Sequence, residues 1–473
     1  MKKSLLLASA LLFGASAFAA NAIFPKDLGN YEVVDGIKCY NVWETSRANY
    51  KFSDHYLATN FTYIRTATIW GEAGNEKIVF AWSKPYSYET GEVDSVGNPV
   101  VETQYNGTLV FMNFYTGEME KEVTLKYNDE PITGLLCTNS IGVDDAGNLW
   151  VGSYVGATEN DATPLKLHVV TDPENGICGT RWDLALPANE ASTSGRIDYC
   201  DVAGDITGET MDGLCMASLN ATANYMYRWR LFQGDVEWMG DFDGYVCWDL
   251  SSTLLETYPA DVTAWSTSGC AIVYDADAAW EYFYVDGFNT CPSLYSIDRS
   301  YVDGFSNATD LSPAVGTVGI TEFSIDLKSG GKKNFIAYSK NYYSSTPGCQ
   351  VGIAEVGPNY EFEGMTEYWL LPENGLGTTT DGGTRIHSIA TFNVQDANGN
   401  NGVYLLSYKA NNGIAVYIIA EEAFEDNSVE GVEIDNSNVP AKYYNLQGME
   451  IANPENGIYL VKRGNNVTKE LVK

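Results

Sequence analysis

Three arginines have the type and placement to grip an anion. Arg65, Arg196 and Arg385 each stand at or just before a short apolar run. Brought together at one opening, they could hold a carboxylate or sulfate through paired N–H donors. Asp198 and Asp381 lie close enough in sequence to take the same guanidinium groups in ion pairs. His387 is the histidine best placed for acid–base work; the alternative is a buried, hydrogen-bonded imidazole. Tyr86, Tyr88, Tyr105, Tyr154, Trp265, Tyr342 and Tyr343 stand among Ser, Thr, Asn and Gly in long polar stretches. Flat aromatic faces among amides and hydroxyls suit rings that offer C–H surfaces and many hydroxyls, as sugars do. They equally suit covering the ends of sheets. The expected ligand-binding set is Arg65, Tyr86, Tyr154, Arg196, Trp265, Tyr342, Tyr343, Arg385 and His387. Catalytic residues cannot be assigned: no spacing rule picks a carboxylate pair out of 62 Asp and Glu.

Metal and cofactor chemistry finds little material. There are three His, and none of the nine Cys forms a C-x-x-C pair. The run Asp396 to Gly402 begins like a calcium loop, but Asn401 stands where the turn needs Gly and Ser407 where a bidentate Glu is needed. No phosphate-binding loop or serine-hydrolase elbow occurs. No metal and no cofactor are expected. An odd number of Cys leaves at least one unpaired within the chain, and most read as small buried hydrophobes.

The elements that position these residues repeat. An apolar strand ending in small residues recurs six times: KIVFAWS from Lys77, NLWVGS from Asn148, GLCMAS from Gly213, EYFYVDG from Glu281, NFIAYS from Asn334 and GVYLLS from Gly402. Anchored on Ser83, Ser153, Ser218, Asp286, Ser339 and Ser407, the spacings are 70, 65, 68, 53 and 68 residues. A Gly-, Asn- or Asp-rich turn precedes each, as tight hairpins require. A third strand follows each, and weaker fourth strands follow four of them. Ile78, Phe80 and Trp82 alternate with Val79 and Ala81, so both faces of such a strand are apolar and each sheet needs a neighbour on either side. Six small sheets packed radially meet that need. Two stacked β-sandwiches are the competing arrangement.

On these residues the chain resembles a β-propeller with six four-stranded antiparallel blades, over roughly residues 35 to 425. DDAGNLWVG, from Asp144 to Gly152, is similar to a hairpin common in propeller blades. It partly resembles the sialidase Asp-box through Asp145, Gly147 and Trp150, with Val143 in place of the expected Ser. The resemblance implies that Gly36 to Trp43 supplies the outer strand of the last blade. It also implies one face carrying the blade connections and the loops between second and third strands, including Lys84 to Asn106 and Tyr154 to Pro164. That face is the expected binding face.

The first twenty residues read as an export signal: Lys2 and Lys3, the apolar run Leu5 to Phe13, and Ala17-Phe18-Ala19 at a small-residue cleavage site. The expected domains are a signal segment at 1–20, the propeller at 21–425, and a linker with a small β-module at 426–473. In the last, Tyr444-Asn445-Leu446-Gln447-Gly448, Gly457-Ile458-Tyr459 and the strand holding Lys469 and Lys473 resemble the C-terminal module of secreted Bacteroidetes proteins, akin to type IX sorting domains. That resemblance implies a surface or secreted location and contact with secretion machinery. With 28 Lys and Arg against 62 Asp and Glu, net charge −34, the chain is no ordinary nucleic-acid binder. No later run reaches membrane-helix length, so no membrane insertion is expected. The leading expectation is a secreted, periplasmic or surface binding protein with a glycan or protein ligand. A carbohydrate-active hydrolase or lyase, or an adhesive surface component, are the alternatives.

Overall fold

The structure, a computed structural model, describes residues 31–48, 52, 55–60, 63–156, 164–184, 196–220, 224–232, 235–237, 246–249, 268–275, 280–287, 290–296, 301–304, 318–341, 345–362, 364–380, 386–425, 442–444, 450–451, 457–463 and 466–472. Contacts divide the chain into two units, Met1–Phe424 and Glu425–Lys473. The described residues are all-β, apart from one five-residue helix, Tyr56–Asn60. None of their helices is long and apolar enough to cross a membrane.

The described residues of the first unit form six small sheets in chain order, antiparallel but for one edge pairing in the second. The first sheet comprises Ile64–Trp70, Lys77–Val93, Pro99–Asn113 and Met119–Thr124. The second comprises Ser140–Val143, Leu149–Gly152, Leu165–Asp172 and Ile177–Leu184, with Lys126–Tyr127 and Glu130–Pro131 added at its outer edge. The third is built on Cys200–Gly204, Gly213–Asn220 and Asn224–Phe232. The fourth runs from Ser268–Asp275 to Tyr301–Gly304, and the fifth from Ile320–Asp326 to Thr366–Leu371. The sixth has Ser388–Gln395, Asn401–Lys409 and Gly413–Glu421, and its fourth strand is Ile37–Ser46 from the other end of the unit. The first strand of each sheet lies against the first strand of the next, and that of the sixth lies against that of the first.

The apolar alternation explains the order. Ile78, Phe80 and Trp82 pack toward the sixth sheet with Tyr404, Leu406 and Tyr408. Val79 and Ala81 pack the opposite way, against Ile141, Val151 and Val170 of the second sheet. Comparable clusters lie between the second and third, fourth and fifth, and fifth and sixth sheets.

A side chain pins each junction by a hydrogen bond. Thr138 N donates to Ser83 Oγ at 3.2 Å, Cys200 N to Ser140 Oγ at 3.4 Å and Ile272 N to Asp201 Oδ2 at 2.8 Å. Gly319 N donates to Asp286 Oδ2 at 2.9 Å. Ser339 Oγ and His387 Nδ1 are 3.4 Å apart, and Ala67 N donates to Ser388 Oγ at 2.9 Å. Three of these pins, Ser83, Asp286 and Ser339, are anchors of the sequence repeat. At Ser83 and Asp286 the pin satisfies a backbone N–H of the next sheet, and a buried N–H left unpaired is costly, which is why a small polar residue ends those two strands; at Ser339 the partner is the His387 imidazole.

One turn recurs three times, as Asp-x-x-Gly-Asn. Asn98, Asn148 and Asn400 each donate their backbone N–H and side-chain amide to the carboxylate four residues earlier, at 2.7–3.2 Å. The glycines hold φ between 78° and 88°, left-handed values that favour Gly. Both oxygens of Asp396 are occupied by these donors, so the calcium-loop-like run is a hairpin turn.

Cys39, Cys137, Cys178, Cys200, Cys215, Cys270 and Cys349 are buried free thiols. In the second unit the described strands form one sheet, in the order Glu450–Ile451, Lys442–Tyr444, Gly457–Arg463 and Asn466–Val472. The signal-like residues 1–20 and Asn445 to Gly448 lie outside the described residues.

Candidate functional site

The segment between the first and second sheets is tied down by backbone bonds. Leu125 N donates to Gly107 O at 2.8 Å, Gly107 N to Ile132 O at 2.7 Å and Gly134 N to Tyr105 O at 2.9 Å. Tyr154, just past the second strand of the second sheet, donates its N–H to Leu136 O at 3.0 Å. These bonds hold residues 125–137 in an arch over the second sheet. Between the arch and the sheet lies a pocket of about 350 Å³, lined among others by Tyr127, Glu130, Tyr154, Lys166, His168 and Arg181. That volume is at the lower end of the range for small-ligand sites.

The strand Leu165–Asp172 supplies the floor. Leu165, Leu167 and Val169 turn into the core shared with the third sheet, and strand alternation puts Lys166 and His168 on the pocket side. His168 sits opposite Arg181 in the ladder. The residue is 3% exposed, and Nδ1, closed off from solvent, has no hydrogen-bond partner, which is uncommon in proteins. Burial, with the Arg181 and Lys166 charges, pulls the His168 pKa down to about 4, so the imidazole is neutral near pH 7. Its edge meets the Tyr127 ring at 5.9 Å, and the Arg181 guanidinium lies 5.0 Å over that ring. Arg181 also pairs with exposed Asp183 at 2.7 Å.

A second feature adjoins the arch. Lys77–Val93 and Pro99–Asn113 continue past the body of the first sheet as a two-stranded ribbon, paired from Lys84↔Asn106 to Glu89↔Val101 and again at Val93↔Pro99. The stretch read from sequence as a loop is therefore strand. Tyr86 and Tyr88 share a ribbon face, 58% and 37% exposed, with rings 6.5 Å apart and 13° from parallel.

The expected site residues fall in different places. Tyr154 lines the pocket and Tyr86 stands on the ribbon. Arg65 pairs with buried Asp198 at 3.5 Å, the local ion pair that was the alternative to a cationic ring. His387 is fully buried; Nε2 is 2.8 Å from Ser407 Oγ, and burial with the Lys409 charge brings its pKa down to about 3. It borders a void of about 10 Å³, room for no more than a water. That is the alternative of a buried, hydrogen-bonded imidazole. Arg196 begins a short strand, Arg196–Ile197, and its side chain lies outside the described residues, as do Trp265, Tyr342, Tyr343 and Arg385. Sequence reading did not single out Lys166, His168, Tyr127 or Arg181. The available signal was polar Lys166 and His168 at alternate positions in a strand otherwise read as apolar. Among the described residues, no group of three or more His, Cys, Asp or Glu could hold a metal ion.

No protein-family model and no curated protein sequence matches the chain. Solved structures similar to it include the NanB sialidase from Streptococcus pneumoniae, at 10% identity and TM-score 0.39, covering 77% of this chain and 69% of that one. A mutant of AofleA from Arthrobotrys oligospora is similar at 11% identity and TM-score 0.39, covering 78% and 89%. A putative glycoside hydrolase from Parabacteroides distasonis is similar at 10% identity and TM-score 0.30, covering 76% and 86%. At such values these likenesses assign no activity to the chain.

Proposed function

We propose that the first unit is a six-bladed β-propeller of an exported glycan-binding protein. The ligand enters the pocket between the arch and the second sheet, and the Tyr86–Tyr88 ribbon extends the contact. The propeller reading is supported by six successive sheets whose first strands neighbour one another in a closed circuit, with the last sheet completed by Ile37–Ser46. Export is supported by the basic, apolar and small-residue order of the first twenty residues, and a sorting role for the tail by the Tyr444 to Gly448 motif.

The single observation that carries the binding function is the pocket itself, with tyrosines beside Lys166, buried His168 and Arg181. Aromatic wall and polar floor match the two kinds of surface on a sugar ring. Binding is favoured over hydrolysis because Glu130 is the one carboxylate among the described lining residues, and two-carboxylate glycoside cleavage needs a pair.

A glycan-array screen of the full chain tests the reading, with product analysis on every hit. Tyr154→Ala is expected to weaken the best hit about tenfold, roughly 1.4 kcal/mol. Half-buried Tyr154 is no part of the sheet cores, so its melting temperature should stay near the parent's. Retained affinity would move the site off this pocket, and released product would make the chain an enzyme.

A further inference from the structure

The pocket is lined by two cations, Lys166 and Arg181. The chain carries 62 Asp and Glu against 28 Lys and Arg, and among the described lysines Lys77, Lys84, Lys121, Lys333 and Lys340 each pair with a carboxylate. Lys166 is half-buried, lines the pocket, and has no carboxylate within ion-pair distance among the described residues. Its cross-strand neighbour is Asp183. That carboxylate is taken by Arg181 at 2.7 Å.

The field at the floor can be read from the charges that act on His168. Arg181 and Lys166 act as cations there, and Asp183 opposes them less strongly. Glu130 does not figure among them. It stands exposed at the pocket rim, on the Glu130–Pro131 edge strand. Two cations, Lys166 and Arg181, thus face the floor beside one carboxylate, Asp183. Arg181 has Asp183 as its counter-ion; Lys166 has none among the described residues, and an anionic ligand would supply it.

We infer that the saccharide taken by this pocket carries an acidic group on its ring, a carboxylate or a sulfate ester, held between Lys166 and Arg181. The inference rests on the glycan-binding reading and narrows it to acidic sugars. Lys166 presents a mobile ammonium and Arg181 a planar fork, already oriented by Tyr127 beneath it. The neutral His168 imidazole beside them adds no charge of its own. Glu130 at the rim repels the same ligand and sets a limit on its affinity.

The test titrates the full chain with a galacturonate oligomer, a ring-sulfated galactan oligomer, the neutral galactan of equal length, and sodium sulfate and sodium acetate alone. At least one acidic oligomer is expected to bind about tenfold or more tighter than the neutral one, and the two acidic arms decide between carboxylate and sulfate. The preference should shrink between about 50 mM and about 500 mM salt. Lys166→Gln should collapse it, and Glu130→Gln should raise the acidic affinity a few-fold. Melting curves matching the parent's show that the variants fold. Equal affinity for acidic and neutral oligomers, unchanged by Lys166→Gln, overturns the acid selection and leaves glycan binding standing. Binding of no oligomer, whether or not the simple anions bind, overturns both.

Discussion

Trp43→Ala is expected to destabilise the first unit by about 3–5 kcal/mol, the usual cost of emptying a buried tryptophan site. Trp43 lies on the strand that completes the sixth sheet, yet its side chain is fully buried against the first. Its indole N–H donates to Phe114 O at 2.5 Å, and Phe80, Met112, Tyr404 and Leu406 belong to the same cluster. Alanine would leave a cavity where the two ends of the unit meet and remove the donor from a buried carbonyl. Removing Ile37–Ser46 altogether should go further. It would leave Gly413–Glu421, now paired along Ile37↔Glu421 to Thr45↔Ile414, as an open edge ready to pair with other chains. Denaturant unfolding of the point variant, and light scattering of the truncated chain, check both. A Trp43→Ala midpoint within about 1 kcal/mol of the parent's would show that closure does not depend on this contact.

His387→Gln is expected to flatten the acid side of the stability profile. In the folded state burial and the Lys409 charge hold the His387 pKa at about 3, against an ordinary value of 6.5. The unfolded chain therefore binds more protons in that interval. The stability held by neutral His387 is complete above pH 6.5 and is lost as pH falls toward 3. Over that interval the loss is on the order of 4 kcal/mol. Glutamine cannot titrate and can still meet Ser407. His168, with its pKa lowered to about 4, acts in the same sense. Asp201 and Asp286 act oppositely: burial raises both to about 7 from 3.8. Their contribution is full below pH 3.8 and is lost as pH rises through 7. Asp286→Asn should therefore flatten the other side, between pH 4 and 7. Unfolding at about pH 4.5, 6 and 8 separates the two slopes. An unchanged acid slope in His387→Gln would show that this histidine is not held neutral by the fold.

Several features were legible residue by residue. The two-sided apolar strand Lys77 to Ser83 announced neighbours on both faces, and Ile78 and Val79 do pack in opposite directions. Asp-x-x-Gly-Asn announced a tight turn, because the carboxylate and the Asn amide lie within four residues of each other. The Lys84 to Asn106 stretch was misread as a loop. Its Ser, Thr, Tyr and Glu residues have no apolar face, and Pro85 argues against a central strand. Apart from Tyr105 and Asn106, which also meet the arch, they pair with one another on an exposed ribbon, where proline at an open edge costs no ladder bond. Tyr154 was picked out as a loop aromatic. Its partners were not, because the pocket joins residues from the arch, the third strand and the fourth strand of one sheet.

The amino-acid order by itself determined the strands, their turns, the six-fold repeat of small polar strand ends and the strongly negative charge. Each of these depends on residues a few positions apart. Tertiary structure decided which sheet lies beside which, that Arg65 meets Asp198, that His387 is buried between Ser339 and Ser407, and that Lys166 and His168 face an open pocket. Those outcomes depend on how sheets formed far apart in the chain fit against one another. A side chain's alternation along its strand gives the face it occupies, but only the neighbouring sheet decides whether that face becomes core or cavity.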